Sequence, residues 1–232
     1  MKRLILFDID GTILTTNGAA KQAFHRALLE VYGQAGPIDT HPFDGKTDPQ
    51  IARELLSLGG LTDQAIDEGA PALWRTYLRE LAVELARTDH RTGVYPGVVE
   101  LLAELERRPE SAVLALLTGN VEPGAELKLR SASVDTRFGF GAFGSDNERR
   151  DQLPAIAVER ALEHTGRRFR DREIIIIGDT PFDITCGASL GVRAIGVATG
   201  RFSTDELRDA GADAVLENLA DTESVLDLLL GD

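Results

Sequence analysis

Two aspartates flanking a single isoleucine, Asp8 and Asp10, close the apolar run Leu4-Ile5-Leu6-Phe7 and are followed by Gly11-Thr12. At the end of a strand, period-2 geometry sends both carboxylates to one face. Like charges that close repel and raise a pKa unless a cation sits between them. Taken alone, the pair reads equally well as a strand that happens to end in acids. A second pair, Asp179 and Asp183 in Gly178-Asp179-Thr180-Pro181-Phe182-Asp183, follows another apolar run. Such a turn completes an oxygen cage for a hard cation, and Mg2+ takes one or two carboxylates with waters and phosphate oxygens filling the rest. The expected direct ligands are Asp8 and Asp179, with the Asp10 carbonyl as a third and Asp183 acting through water. Thr118-Gly119-Asn120 ends a third run. Its hydroxyl and backbone N–H suit phosphate oxygens, and the same tripeptide also reads as an ordinary turn.

These residues need strands to carry them. Short apolar runs at 4–10, 112–117, 173–177 and 193–197, with a shorter one at 213–216, read as buried parallel strands. Helical patterns alternate with them at 98–106, 126–132, 153–164 and 221–230. That alternation predicts an α/β fold, a doubly wound parallel sheet whose ligand site lies outside the carboxyl ends of the strands. From Gly18 to about Thr88 the alternation stops. Helical patterns at 19–32 and 49–58 and a long one at 62–87, with Pro71 as a possible break, predict a helical insert entered through Thr15-Thr16-Asn17. The predicted division is a core of 1–14 and 92–232 and an insert of 15–91.

The 232 residues carry 38 acids and 25 bases, a formal charge of −13. That balance argues against a nucleic-acid or anionic-membrane surface. A chain this long buries roughly 70% of its unfolded surface without staples. The lone Cys186 cannot form an internal disulfide, and the apolar run after Met1-Lys2-Arg3 reaches Asp8 too soon for a signal or a membrane span. The expected location is the cytoplasm. Of the 25 bases only four are lysine, at positions 2, 21, 46 and 128. A remaining lysine suits a place that needs a compact, rotatable ammonium.

In their order, Asp8-Ile9-Asp10-Gly11-Thr12, Thr118-Gly119-Asn120 and Gly178-Asp179 through Asp183 resemble motifs I, II and IV of the haloacid dehalogenase (HAD) superfamily. The helical stretch after motif I resembles the C1 cap of its phosphoglycolate-phosphatase-like members. The resemblance implies a HAD-type Rossmannoid core and a Mg2+-dependent phosphatase acting on a small phosphomonoester. It makes Asp8 the nucleophile that forms an aspartyl-phosphate and Asp10 the general acid and then base. Asp8, Asp10, Asp179 and Asp183 become the metal site, and Thr118, Gly119 and Asn120 hold the phosphoryl group.

Motif III, a base that counters phosphoryl charge, falls on Lys128, with Arg150 in Arg149-Arg150-Asp151 as the alternative or else a solvated charge. In the insert, Lys46 of Phe43-Asp44-Gly45-Lys46-Thr47-Asp48 is the candidate substrate contact. Its alternative is a surface pair with Asp44 or Asp48, and Thr47 or Asp48 is the expected N-cap of the next helix. Gly139 to Gly144 satisfies GxGxxG, but without a strand before and a helix after it the dinucleotide reading fails. His25, His41, His90 and His164 show no ligand spacing, and Trp74 and Tyr77 read as packing residues. Two competing functions remain: a phosphomutase of the beta-phosphoglucomutase kind, and a non-catalytic binding protein on this fold. The expected partner is a small phosphorylated metabolite; the physiological substrate and the oligomeric state are not legible.

Overall fold

The computed structural model of the protein describes residues 2–87 and 89–231. In chain order the elements are β1 (Arg3–Phe7), β2 (Leu14–Thr15), α1 (Ala19–Tyr32), α2 (Asp48–Leu58), α3 (Asp63–Leu85), β3 (Gly93–Val94), α4 (Val98–Glu106), β4 (Ala112–Thr118) and α5 (Glu122–Ser131). There follow β5 (Gly141–Phe143), α6 (Leu153–Thr165), β6 (Ile174–Gly178), α7 (Pro181–Cys186), β7 (Arg193–Val197), α8 (Thr204–Asp209), β8 (Ala214–Leu216) and α9 (Thr222–Leu230).

Six strands form a parallel sheet in the order β5-β4-β1-β6-β7-β8. Every residue of β1 is buried because both of its faces are covered. Ile5 and Phe7 join Leu101, Leu102 and Val225 on one side, while Leu4 and Leu6 join Leu153, Ala157 and Phe169 on the other. β6 divides in the same way, Ile175 and Ile177 to one cluster and Ile174 and Ile176 to the other. This is why these strands read as unbroken apolar runs. Each fully buried Leu, Ile or Phe contributes about 1.5–3 kcal/mol through its transfer from water.

Chain order reverses around β1, whose neighbours are β4 and β6. The three adjacent strands end beside one another, which sets Asp8, Thr118 and Asp179 along one rim of the sheet. β1 itself stops at Phe7, so Asp8 and Asp10 lie on the segment just past it.

β2 and β3 pair antiparallel, Leu14 with Val94 and Thr15 with Gly93, and the chain between them is the helical stretch. α1, α2 and α3 pack around an apolar cluster of their own that includes Phe24, Leu28, Leu55, Leu73 and Tyr77. Val121, the N-cap residue of α5, also joins that cluster. Thr47 caps α2 by accepting from the Gln50 N–H, and Thr62 caps α3 by accepting from that of Ala65.

Several local expectations change. Pro71 lies inside a continuous 23-residue α3. It removes one helical hydrogen bond, and the packing of Ile66, Leu73, Tyr77 and Leu81 outweighs that loss. α5 starts at Glu122, four residues before its apolar pattern begins, because Pro123 suits a first helical turn. β5, only three residues long, runs through the GxGxxG segment. The β2–β3 ribbon and helices α7 and α8 have no periodicity from which to read them, being two and six residues long.

Candidate active site

Asp8, Asp179 and Asp183 come together from positions that are distant in sequence. Each offers a carboxylate oxygen, the three lie within 4.8 Å of one another, and all three residues are buried. Asp183 is the most enclosed, at 0% exposure. Its Oδ2 accepts from the Thr180 N–H at 3.0 Å and from the Thr180 hydroxyl at 2.8 Å, a capping box that starts α7. Thr12 Oγ1 donates to Asp179 Oδ1 at 3.3 Å. Gly11 and Gly200 wall the Asp179 carboxylate so closely that a Cβ at either would overlap it.

Two of these acids, Asp8 and Asp179, resist ionisation. Burial first, then the Asp183 charge, pushes Asp8 up to about 7. Burial, Asp183 and Asp8 push Asp179 up to about 9. A hard divalent cation relieves both effects, and an all-oxygen donor set of this size suits Mg2+. The residues therefore fit the expected metal.

A cation already reaches into the cluster. Arg150, in a single 3₁₀ turn before α6, donates from Nη2 to Asp8 Oδ1 at 3.2 Å and also to Asp183. It is 6% exposed, which overturns the reading of a solvated charge. Burial works against its charge, but Asp183 and Asp8 outweigh that and hold its pKa above the ordinary value.

Lys128 is equally buried and serves the other aspartate. Its Nζ lies 2.7 Å from Asp10 Oδ2 and 2.5 Å from Asn120 Oδ1. Asn120 in turn donates from Nδ2 to Asp10 Oδ2 at 2.8 Å and to Thr118 Oγ1 at 2.7 Å. Asp8 and Asp10 thus have different partners: the first belongs to the carboxylate cluster and Arg150, the second to Lys128 and Asn120. The two candidate bases are both in the site, on different aspartates.

These groups open onto a cavity of about 880 Å3 between the sheet rim and the helical stretch. Phe24, Phe43, Tyr77 and Lys46 line its far side. Lys46 pairs neither with Asp44 nor with Asp48; its ammonium meets Glu54 of α2, which also accepts from Gln50 and lies 2.8 Å from His41 Nε2. Asp44 pairs instead with Arg201. Cys186 is buried and its thiol is pushed up to about 12, so it stays a thiol and acts as core.

The glycines of the rejected dinucleotide motif have a packing role. A Cβ on Gly144 would overlap the Gly119 carbonyl, and a Cβ on Gly119 would overlap the Lys46 carbonyl. Three backbone segments are stacked there, with room for no side chain. Among the described residues, sequence reasoning missed Asp48, Thr12 and Thr180 as neighbours of the site. Thr12 lies inside the Asp8–Thr12 motif and Thr180 shows its capping-box spacing to Asp183, whereas Asp48 reads only as a helix cap.

The model of the haloacid dehalogenase-like hydrolase family matches residues 5–197. A probable phosphatase, IndB, from Dickeya dadantii is 27% identical over 99% of this chain and 96% of its own length. A phosphoglycolate phosphatase from Photorhabdus laumondii is 26% identical over 97% and 93%. Among solved structures, a hydrolase from Pseudomonas syringae superposes over 100% of both chains with a TM-score of 0.71 at 21% identity, a likeness of fold. With a family model that spans most of the chain and its three motifs gathered on one sheet rim, the protein belongs to the haloacid dehalogenase-like hydrolases.

Proposed function

We propose that the protein is a Mg2+-dependent phosphatase that hydrolyses a small phosphomonoester through an aspartyl-phosphate on Asp8. The observation that carries the reading is the separation of the two motif I acids. Asp8 sits among the carboxylates Asp179 and Asp183, whereas Asp10 is held by Lys128 and Asn120. One is arranged as a nucleophile beside a cation site, the other as an acid and base. The relatives named phosphatase and phosphoglycolate phosphatase support the same reaction class.

Asp8 and Asp179 would hold the cation, with the Asp10 carbonyl and Asp183 completing its surroundings. A bound Mg2+ supplies the positive charge that offsets repulsion between carboxylate and phosphate. Asp8 then attacks phosphorus, and the bond to the ester oxygen breaks as Asp10 delivers a proton to that oxygen. Asp10 Oδ2 is occupied by two N–H donors, which leaves Oδ1 to carry this proton. In the second half Asp10 takes the proton back from a water that attacks the phosphoryl group, and Asp8 is released. Thr118, the Gly119 amide and Lys128 hold the transferring oxygens, Asn120 shapes the turn, and Arg150 acts as the counter-charge of Asp8. Monoester hydrolysis in water is among the slowest reactions known, so positioning and charge stabilisation supply roughly 20 kcal/mol or more.

We assign residues 15–91 as a cap that encloses the leaving group, since α1 to α3 have their own core and line the cavity wall facing Asp10. Lys46, in that wall, is the proposed contact for a carboxylate or hydroxyl of the substrate. Phosphoglycolate is the first substrate to try, within a panel of phosphorylated metabolites ranked by kcat/KM. Hydrolysis of para-nitrophenyl phosphate should require Mg2+ and vanish in Asp8→Asn. Sustained turnover by that variant or in excess EDTA overturns the proposal, and an isomerised product in place of inorganic phosphate makes the protein a mutase.

A further inference from the structure

The phosphate-binding turn does not stand on the core alone. Asp48, the first residue of α2, donates its backbone N–H to the Gly119 carbonyl at 2.7 Å. Its side-chain Oδ2 accepts the Val121 N–H at 2.9 Å. Thus one residue of the helical stretch bonds both sides of Asn120, whose own side chain holds Asp10 and Thr118. Nearby contacts set the same face down: Thr47 Oγ1 donates to the Glu148 carbonyl at 2.7 Å, and Arg53 Nε to Glu148 Oε2 at 2.9 Å. The close stack of Lys46, Gly119 and Gly144 backbone leaves this approach no slack. A carboxyl group is costly here, since burial pushes Asp48 up to about 6 against the pull of Lys128 and the Val121 N–H.

We propose that Asp48 is a positioning residue: it organises the Thr118–Val121 turn from the helical stretch, so that the phosphoryl site is competent only while the start of α2 is docked on the core. The inference rests on the phosphatase reading for its kinetic consequences. Asp48 touches the turn and acts on the phosphoryl group, common to every substrate, through that turn. A misplacement of about 1 Å at a reacting centre costs about a hundredfold in rate.

The test compares Asp48→Ala and Asp48→Asn with the parent on two esters of unlike leaving group, para-nitrophenyl phosphate and phosphoglycolate, at saturating Mg2+. Concentrations are corrected for folded protein by near-UV circular dichroism. For Asp48→Ala, kcat should fall about a hundredfold by the same factor on both esters, with KM changed less than about threefold. Asp48→Asn, whose amide oxygen still accepts the Val121 N–H, should recover to within about tenfold of the parent. Hydrogen exchange provides a readout independent of turnover: the amides of 119–122 should exchange faster in Asp48→Ala and regain protection in Asp48→Asn. Unchanged kcat per folded molecule, a loss confined to KM or to one ester, or an Asn variant no better than Ala overturns the inference. If the parent hydrolyses neither ester, the phosphatase reading has failed, and unchanged exchange over 119–122 in Asp48→Ala then overturns the positioning role on its own evidence.

Discussion

Asp8 and Asp179 are acids held up to about 7 and about 9, from an ordinary value of 3.8, by burial and by their shared proximity to Asp183. Between those limits the folded protein binds more protons than the unfolded chain, so stability must fall as pH rises. The metal-free protein is therefore expected to melt at progressively lower temperature from pH 5 to pH 9, and Mg2+ should flatten that slope. Melting curves with EDTA and with Mg2+ across this range check it; parallel slopes would contradict it. Arg150 offsets part of the same repulsion. Removing one partner of a buried pair costs about 3–5 kcal/mol, and here roughly 1–3 kcal/mol is expected because Asp8 and Asp179 can take up protons instead. Chemical denaturation of Arg150→Ala should show that loss without metal and recover most of it with Mg2+. Lys128→Ala removes the ammonium beside Asp10 and Asn120 and should lower kcat about a hundredfold or more, the larger kinetic loss of the two. The aspartates were legible because two acidic pairs, each after an apolar run, stand in the order of the family's motifs with Thr118-Gly119-Asn120 between them. Arg150 was legible only as the alternative to Lys128 and Asp48 only as a helix cap, since charged residues ahead of a helix look the same whether solvated or buried, and only the docking of distant segments decides.

At the scale of elements, legibility followed length and burial. β1, β4, β6 and β7 are five to seven residues long, mostly covered on both faces, and their apolar runs announce them. β5 is an edge strand of three residues built on Gly141, Ala142 and Phe143, and it pairs only with β4. A glycine-bearing strand that short leaves no period to read. Gly141 packs against Leu116 of β4, and Gly144, just past the strand, belongs to the junction with α2, where backbone meets backbone. Gly144→Ala must push the Gly119 turn aside and Gly119→Ala must lift the Lys46 carbonyl, each at about 1–3 kcal/mol of overpacking. Both variants should melt lower and lose activity together. A Gly119→Ala protein with parental stability and turnover would mean that α2 does not dock as described. Pro71 carries the converse lesson, because α3 is long enough, and packed tightly enough through Tyr77 and Leu81, to keep its course past one missing hydrogen bond.

The whole molecule carries a formal charge of −13, yet its proposed task is to bind an anion. The resolution lies in where the few lysines and buried arginines sit. Lys21, Lys46 and Lys128, three of four lysines, line the cavity together with Arg150 and Arg201, while exposed acids such as Glu30 and Asp205 lie on helix faces and pair with arginine. Six aspartates line the same cavity, so these cations, together with a metal held there, would offset the local acid, while the rest of the surface stays repulsive to polyanions. No helix among the described residues is long and apolar enough to cross a membrane. The proposed reaction turns on a covalent bond between Asp8 and phosphorus. Borohydride reduction during turnover of para-nitrophenyl phosphate with Mg2+, followed by peptide mass spectrometry, tests for it directly. Homoserine at position 8, formed only with both ester and metal present, is the predicted result. Full turnover with an unmodified Asp8, or reduction at a different carboxylate, would contradict it.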